Sequence, residues 1–155
     1  MADLKSGTIH ITGLADLERR LKELPDKLAK NVLRGAVRAG AAVIQKEAKS
    51  LCPASAEAHY LGKGSKRVLI QPGELKKKGI KVRSAPRKES QYAITYWVYW
   101  SKKHWYGKFL EFGTSKMSRK SFLRPAFDSK KEAATAAIRD YMATRIDKEL
   151  GKIGR

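Results

Sequence analysis

Read for the spacing of its apolar positions, the chain predicts two long helices around a middle of short strands. Leu14, Leu17, Leu21 and Leu24 recur at helical spacing and stop at Pro25, which predicts a short amphipathic helix. Leu28, Val32, Ala36, Ala39, Val43 and the 44–48 edge then fall on one side of a longer helix over 26–51. Its wet side carries Lys27, Lys30, Arg34, Arg38, Gln45 and Lys49. The centre of this helix, 35–42, is rich in glycine and alanine. Two glycines inside a helix cost about 1 kcal/mol each relative to alanine. A closely packed neighbour is therefore expected there, the domain's own sheet in preference to another subunit. Near the C-terminus, Pro125 suits the first turn of a helix running to about Leu150. Ala134, Ile138, Tyr141, Met142 and Ile146 form its apolar stripe.

Between and before these helices the period changes. Gly7-Thr-Ile-His-Ile-Thr-Gly13 alternates around β-branched residues and predicts an opening strand. Pro53 ends the long helix, and 54–66 has no period and reads as a loop. A strand over 67–71, a Pro72-Gly73 turn, a basic helical turn over 74–78 and a strand over 80–84 follow. After a turn at 85–89, 91–100 is the strongest strand signal. Tyr92, Ile94, Tyr96, Val98 and Trp100 share one face, and Ala93, Thr95, Trp97 and Tyr99 the other. Bulk on both faces predicts a strand covered on both sides. A short helix over 105–112 closes at Gly113, and 114–119 is polar, basic and expected to be mobile. The order lacks a parallel βαβ rhythm. The expected fold is α+β: a small, mainly antiparallel sheet packed against two long helices, one domain over 1–155. The loops 54–71 and 114–119 are expected to order only on assembly.

Charge changes the picture more than composition does. Thirty-four Lys and Arg against fifteen Asp and Glu leave a net charge of +19. Between Tyr60 and Arg124 stand seventeen basic and three acidic residues, a net of +14. Such a field attracts polyanions or an acidic protein surface. Lys63, Lys66, Arg67, Lys76, Lys77, Lys78, Lys81, Arg83, Arg87 and Lys88 form the candidate basic surface. They are able to contact phosphates while interleaved aromatics stack on bases, although no familiar nucleic-acid-binding signature accompanies them. Cys52 is the only cysteine, so no intrachain disulfide forms. No apolar run approaches the roughly 20 residues of a membrane span. The segment Met1–Ser6 carries no hydrophobic signal region, so synthesis in the cytoplasm is expected.

Sharper chemistry fails on spacing. Pro25-Asp26 followed by Glu47-Ala48-Lys49 has the outline of a metal-dependent nuclease motif. On one helix at 1.5 Å per residue, however, the two carboxylates stand roughly 30 Å apart. Cys52, His59 and His104 lack the paired spacing of a zinc site. Gly62-Lys-Gly-Ser-Lys66 is too short for a phosphate loop and reads as a flexible basic turn. The expectation is no catalysis, no cofactor and no metal.

Four stretches carry a resemblance. They are Ile11-Thr-Gly-Leu-Ala-Asp-Leu17 with Leu21 and Leu24, then the small-residue helix ending Lys49-Ser-Leu-Cys-Pro53, and then Gly73-Glu-Leu-Lys-Lys-Lys-Gly-Ile80. The fourth and most specific is Tyr106, then Leu110-Glu-Phe-Gly-Thr114, then Phe122-Leu-Arg-Pro-Ala-Phe127. Together they resemble the tail-component family of long-tailed, lambdoid-type bacteriophages, whose members serve as neck, tail-completion or head–tail joining proteins. The chain departs from that pattern at Pro72-Gly73, where members commonly have Thr-Gly, and in its long loop over 54–71. The resemblance implies a structural virion protein at the neck, assembled in the host cytoplasm. It implies a homo-oligomeric ring, hexameric in preference to dodecameric, between a portal-side head-completion connector and the tail terminator and tail tube proteins. Viral DNA would pass through its channel. The implied assembly residues are Tyr106, Glu111, Phe112, Gly113, Thr114, Phe122, Leu123, Arg124 and Pro125. Glu111 sits in a very basic stretch, so an ion pair with Arg124 or a nearby lysine is expected. It would act either within one subunit or between two. Trp97, Tyr99, Trp100, Trp105 and Tyr106 read as core in preference to interface anchors.

Overall fold

The computed structural model describes residues 14–62, 64, 67–86 and 93–153. Helix α1 spans Leu14–Lys22 and α2 spans Asp26–Leu51. Pro25 separates them: it breaks the first helix and its carbonyl accepts the N–H groups of Leu28 and Ala29 at the start of the second. Helix α2 ends where Cys52 turns to an extended conformation ahead of Pro53. Two short strands follow, β1 (His59–Leu61) and β2 (Val68–Ile70), paired antiparallel. A five-residue π-helical turn, Leu75–Gly79, leads into β3 (Ile80–Ser84), which pairs antiparallel with β4 (Tyr96–Trp100). Helix α3 (Gly107–Phe112) and the 31-residue α4 (Leu123–Ile153) complete the chain. The fold is α+β, as expected; among the described residues its antiparallel strands form two two-stranded ribbons and not one sheet.

Helices α2 and α4 form the spine. Val32 and Ala36 of α2 pack with Met142 and Ile146 of α4 and with Leu17 and Leu24, making a helical core. The small centre of α2 meets α4, not the sheet as the sequence led us to expect. A methyl group on Gly35 would fall inside the Tyr141 ring. One on Gly40 would lie 2.7 Å from Ile138 Cγ1 and 3.0 Å from the Ala134 carbonyl oxygen. Side chains removed at these two positions let two helix backbones approach, and the buried face runs through Gly40 and Ala41. Gln45, expected on the wet side, is half-buried, and its Nε2 donates to the Ile80 carbonyl at 2.8 Å.

The second core joins one end of that spine, the C-terminus of α2 and the N-terminus of α4, to the ribbons: Ala48, Cys52, Ile70, Leu75, Ile80, Tyr106, Phe122 and Ala126 are buried together. Several expectations change here. The loop over 54–66 contains strand β1. Strand β4 is half the expected length, although pairing continues one step further through an Ala85 N–H to Thr95 carbonyl bond of 2.9 Å. It is not covered on both sides. Val98 and Trp100 pack on the core, while Trp97 and Tyr99 lie on the other face, half-exposed beneath the Arg83 guanidinium. The expected opening strand, 7–13, lies outside the described residues, as do 87–92 of the expected 85–89 turn and the start of the 91–100 strand. Among the described residues, no helix is long and apolar enough to cross a membrane.

Candidate functional site

The most elaborate polar construction in the chain is the corner between α3 and α4. Helix α3 starts at Gly107, where a methyl group would stand 3.1 Å from Trp100 Cγ, so the helix sits close against β4. It ends at Gly113, with φ +76° and ψ −177°, a conformation open essentially to glycine alone. The Gly113 N–H closes the helix on the Phe109 carbonyl at 2.8 Å. The chain then doubles back through a tight turn in which Thr114 and Met117 exchange two backbone hydrogen bonds. It is tied to α3 by the Lys120 N–H on the Leu110 carbonyl (2.7 Å) and the Ser121 hydroxyl on the Glu111 carbonyl (2.8 Å). The segment expected to be mobile thus has backbone bonds of its own.

This return brings the start of α4 onto the Glu111 side chain. Glu111 Oε2 accepts the N–H groups of Phe122 (2.8 Å) and Leu123 (3.0 Å), and Oε1 accepts that of Arg124 (3.1 Å). A helix start leaves four N–H groups without intrahelical partners. Here the fourth position is Pro125, which has no N–H, and the next, Ala126, already donates to the Phe122 carbonyl. One carboxylate therefore satisfies every orphan donor at the helix start, and its negative charge lies at the positive end of the α4 dipole. Glu111 is only 7% exposed, and Phe122 is fully buried beside it. The expected ion pair with the Arg124 guanidinium is not formed; Arg124 contributes its backbone N–H and leaves its side chain exposed.

Around this clamp the assembly candidates divide by depth. Tyr106, Glu111 and Phe122 are buried, Gly113 and Leu123 half-buried, and Thr114, Arg124 and Pro125 exposed. Phe112 is 75% exposed and Phe127, on the next turn of α4, 50% exposed. Of the aromatics expected in the core, Tyr106 is buried and Trp100 packs edge-on to Phe112, while Trp105 is 39% exposed and meets Phe109 edge-to-face.

A second polar cluster was not found in the sequence. His104 is 4% exposed, its Nδ1 lies 2.6 Å from the Ser101 hydroxyl, and its Nε2 stands 3.6 Å from Glu74 Oε1. Burial holds the His104 imidazole below its ordinary range despite the nearby carboxylate. The Lys103 ammonium, 3.2 Å away, and the Gln71 N–H hold Glu74 below the usual carboxylate range. Tyr106 borders the same region, its hydroxyl pushed up to about 12 by burial and without a hydrogen-bond partner among the described residues. A cleft of about 250 Å³ opens there between Tyr106, Leu110, Glu74 and Ile70. Glu74 and Tyr106 stand in the third and fourth resembling stretches and His104 among the zinc candidates, but nothing in the sequence brings the three together.

The dismissed chemistries can be placed as well. Asp26 and Glu47 sit on the one continuous helix α2, and Glu47 pairs with Lys130 at 3.7 Å. Cys52 is buried, with its thiol pushed up to about 11, and His59 is exposed. Among the described residues no three His, Cys, Asp or Glu side chains gather to hold a metal. Of the basic surface, Arg67, Lys76, Lys77, Lys78, Lys81 and Arg83 are exposed; Lys63, Lys66, Arg87 and Lys88 lie outside the described residues.

A family model described as "Bacteriophage HK97-gp10, putative tail-component" matches residues 15–113. The match runs from α1 through α3 to Gly113 and includes the Gly73–Ile80 stretch and the clamping Glu111; the Phe122–Phe127 stretch lies beyond it. No curated protein and no solved structure matches the chain. The chain belongs to the HK97-gp10-like family of bacteriophage tail components.

Proposed function

We propose that this tail component forms a homo-oligomeric ring in the neck, completing the tail and joining it to the DNA-filled head, and that it acts by assembly and not by catalysis. The observation that carries the reading is the α3–α4 corner. Its one deeply buried carboxylate accepts three backbone N–H groups, so it is engaged as the cap of α4. Among what the corner presents outward are two large apolar side chains, Phe112 at 75% exposure and Phe127 at 50%, on a frame fixed by that carboxylate. Large exposed aromatics on a rigid support are the usual anchors of a protein interface. A hexamer matches a joint to a six-fold tail. Electron microscopy of lysates from the parent phage lacking this gene tests the placement. Filled heads beside separate, full-length tails are expected, and intact virions would overturn the reading.

A second reading has one observation in its favour. Lys76, Lys77 and Lys78 are consecutive and all exposed on the π-helical turn, as a phosphate-binding ridge would be. On that reading the protein is a basic nucleic-acid-binding accessory. Micromolar affinity for random duplex DNA with a steep salt dependence would favour it, and no binding at moderate salt would count against it.

A further inference from the structure

The ribbon β3–β4 has two unlike faces. In its register Ile80 stands opposite Trp100 and Val82 opposite Val98, and these pairs face the core and α2. The alternate pairs, Lys81 opposite Tyr99 and Arg83 opposite Trp97, necessarily share the other face. On that face Lys81 and Arg83 are exposed and the two rings half-exposed. The Arg83 guanidinium lies 5.4 Å from the centroids of both Trp97 and Tyr99. Two rings thus hold one guanidinium in place. Among the described residues neither Lys81 nor Arg83 has a carboxylate partner. Arg38 of α2, also exposed, borders a shallow cleft with Lys81 at the same edge.

We propose that this face is the docking surface for an acidic segment of a neighbouring virion protein, one of whose carboxylates pairs with the fork of Arg83 between Lys81 and the Trp97–Tyr99 pair. The inference rests on the neck reading and names the chemistry of one partner. Charge complementarity selects the occupant. A second copy meeting this face symmetrically would set Lys81 and Arg83 against themselves, in a chain already at +19. Duplex DNA needs cations but not aromatics, and the Arg83 guanidinium already lies over both rings. A planar guanidinium ordered by aromatic stacking is suited to bidentate pairing with a carboxylate, and Trp, Tyr and Arg together are the composition of an interface hot spot.

The test adds purified protein to lysates of the gene-deleted phage and reads recovered infectious titre. Wild-type protein is expected to restore it. The double variant K81E/R83E is expected to restore at least about 10-fold less, and R83K, which keeps charge but loses the fork, an intermediate amount. K131E/K148E, an equal charge change at exposed positions of α4, is expected to stay within about twofold of wild type. If heads and tails separate in the deletion but K81E/R83E restores titre as wild type does, the proposal fails and the neck reading stands. Intact virions in the deletion overturn both. A loss in K81E/R83E matched by weaker binding to a 30-base-pair duplex would assign the face to DNA. A loss matched by a smaller mass in size-exclusion chromatography would assign it to a second copy. Either result overturns the proposal.

Discussion

The core around Val32, Ala36, Met142 and Ile146 is made by helices alone, whereas the core around Ile80, Tyr106 and Phe122 is gathered from separate stretches of chain. The helical core is held by shape. Gly35 and Gly40 remove side chains where Tyr141, Ile138 and the Ala134 carbonyl come closest. The gathered core is held by polar ties to backbone: Glu111 on three N–H groups of α4, Gln45 on the Ile80 carbonyl, and Ser121 on the Glu111 carbonyl. The difference follows from what each must satisfy. Two continuous helices satisfy their own backbones along their lengths and need only fit. Turns, ribbons and helix ends expose donors and acceptors that must find partners before they can be buried. The fitted half is therefore expected to fail by overpacking and the tied half by losing a bond.

Replacing Glu111 by alanine should have the largest effect. It removes a cap and strands three N–H groups beside a fully buried phenylalanine, which together cost about 3 kcal/mol or more. A urea unfolding series would read that loss. Hydrogen exchange should show the amides of 122–124 losing protection first, while α2 amides near Ala36 keep theirs. An unchanged midpoint would mean water replaces the carboxylate at no cost.

Breaking the other half calls for added volume. Gly40→Val should cost about 2 kcal/mol, since its new methyl groups meet a helix carbonyl that cannot retreat. Gly35→Ala sharpens the point. Its obstacle is a tyrosine ring 37% exposed and able to swing outward, and alanine favours the helix, so stability should change by less than about 1 kcal/mol. Thermal melts of the pair would compare them directly; equal losses would show that side-chain and backbone obstacles are equivalent here.

Gln45→Ala should cost about 1 kcal/mol, the ordinary worth of a partly buried hydrogen bond, measured by the same urea series. The last effect needs a pH series to be seen. Because burial depresses the His104 pKa in the fold, the unfolded chain binds the proton more readily. The stabilisation is complete above the ordinary histidine value of about 6.5 and declines as pH falls below it. Glu74, also depressed, adds its own loss only below about pH 4.5, so the two windows separate. Melting temperatures of wild type and His104→Asn between pH 7.5 and 5 should diverge in slope, the variant being the flatter.

Much of this was legible from one sequence, and the parts that were not share a cause. The bounds of α2, the Ile80–Ser84 strand, the end of α3 at Gly113 and the Pro125 helix start were all readable, because each is written in adjacent residues by period, glycine or proline. Glu111 was singled out within its stretch, but as the ion-pair partner of Arg124 or a nearby lysine; it instead holds the backbone at the start of the next helix. Charge suggested a salt bridge, while the geometry that delivers three N–H groups depends on the return through 114–121. The small centre of α2 announced a close neighbour without naming it. Period and composition describe one face of one element, and which element covers that face depends on contacts about a hundred residues apart in the chain. By itself, then, the sequence determined the long helices, the strands at Val68–Ile70, Ile80–Ser84 and Tyr96–Trp100, the charge and the need for close packing, since these are local or additive. Only the tertiary structure decided that α4 fills the glycine notch, that the strands form two ribbons, and that one carboxylate completes a helix eleven residues away, because each requires two distant backbones to meet in a single geometry.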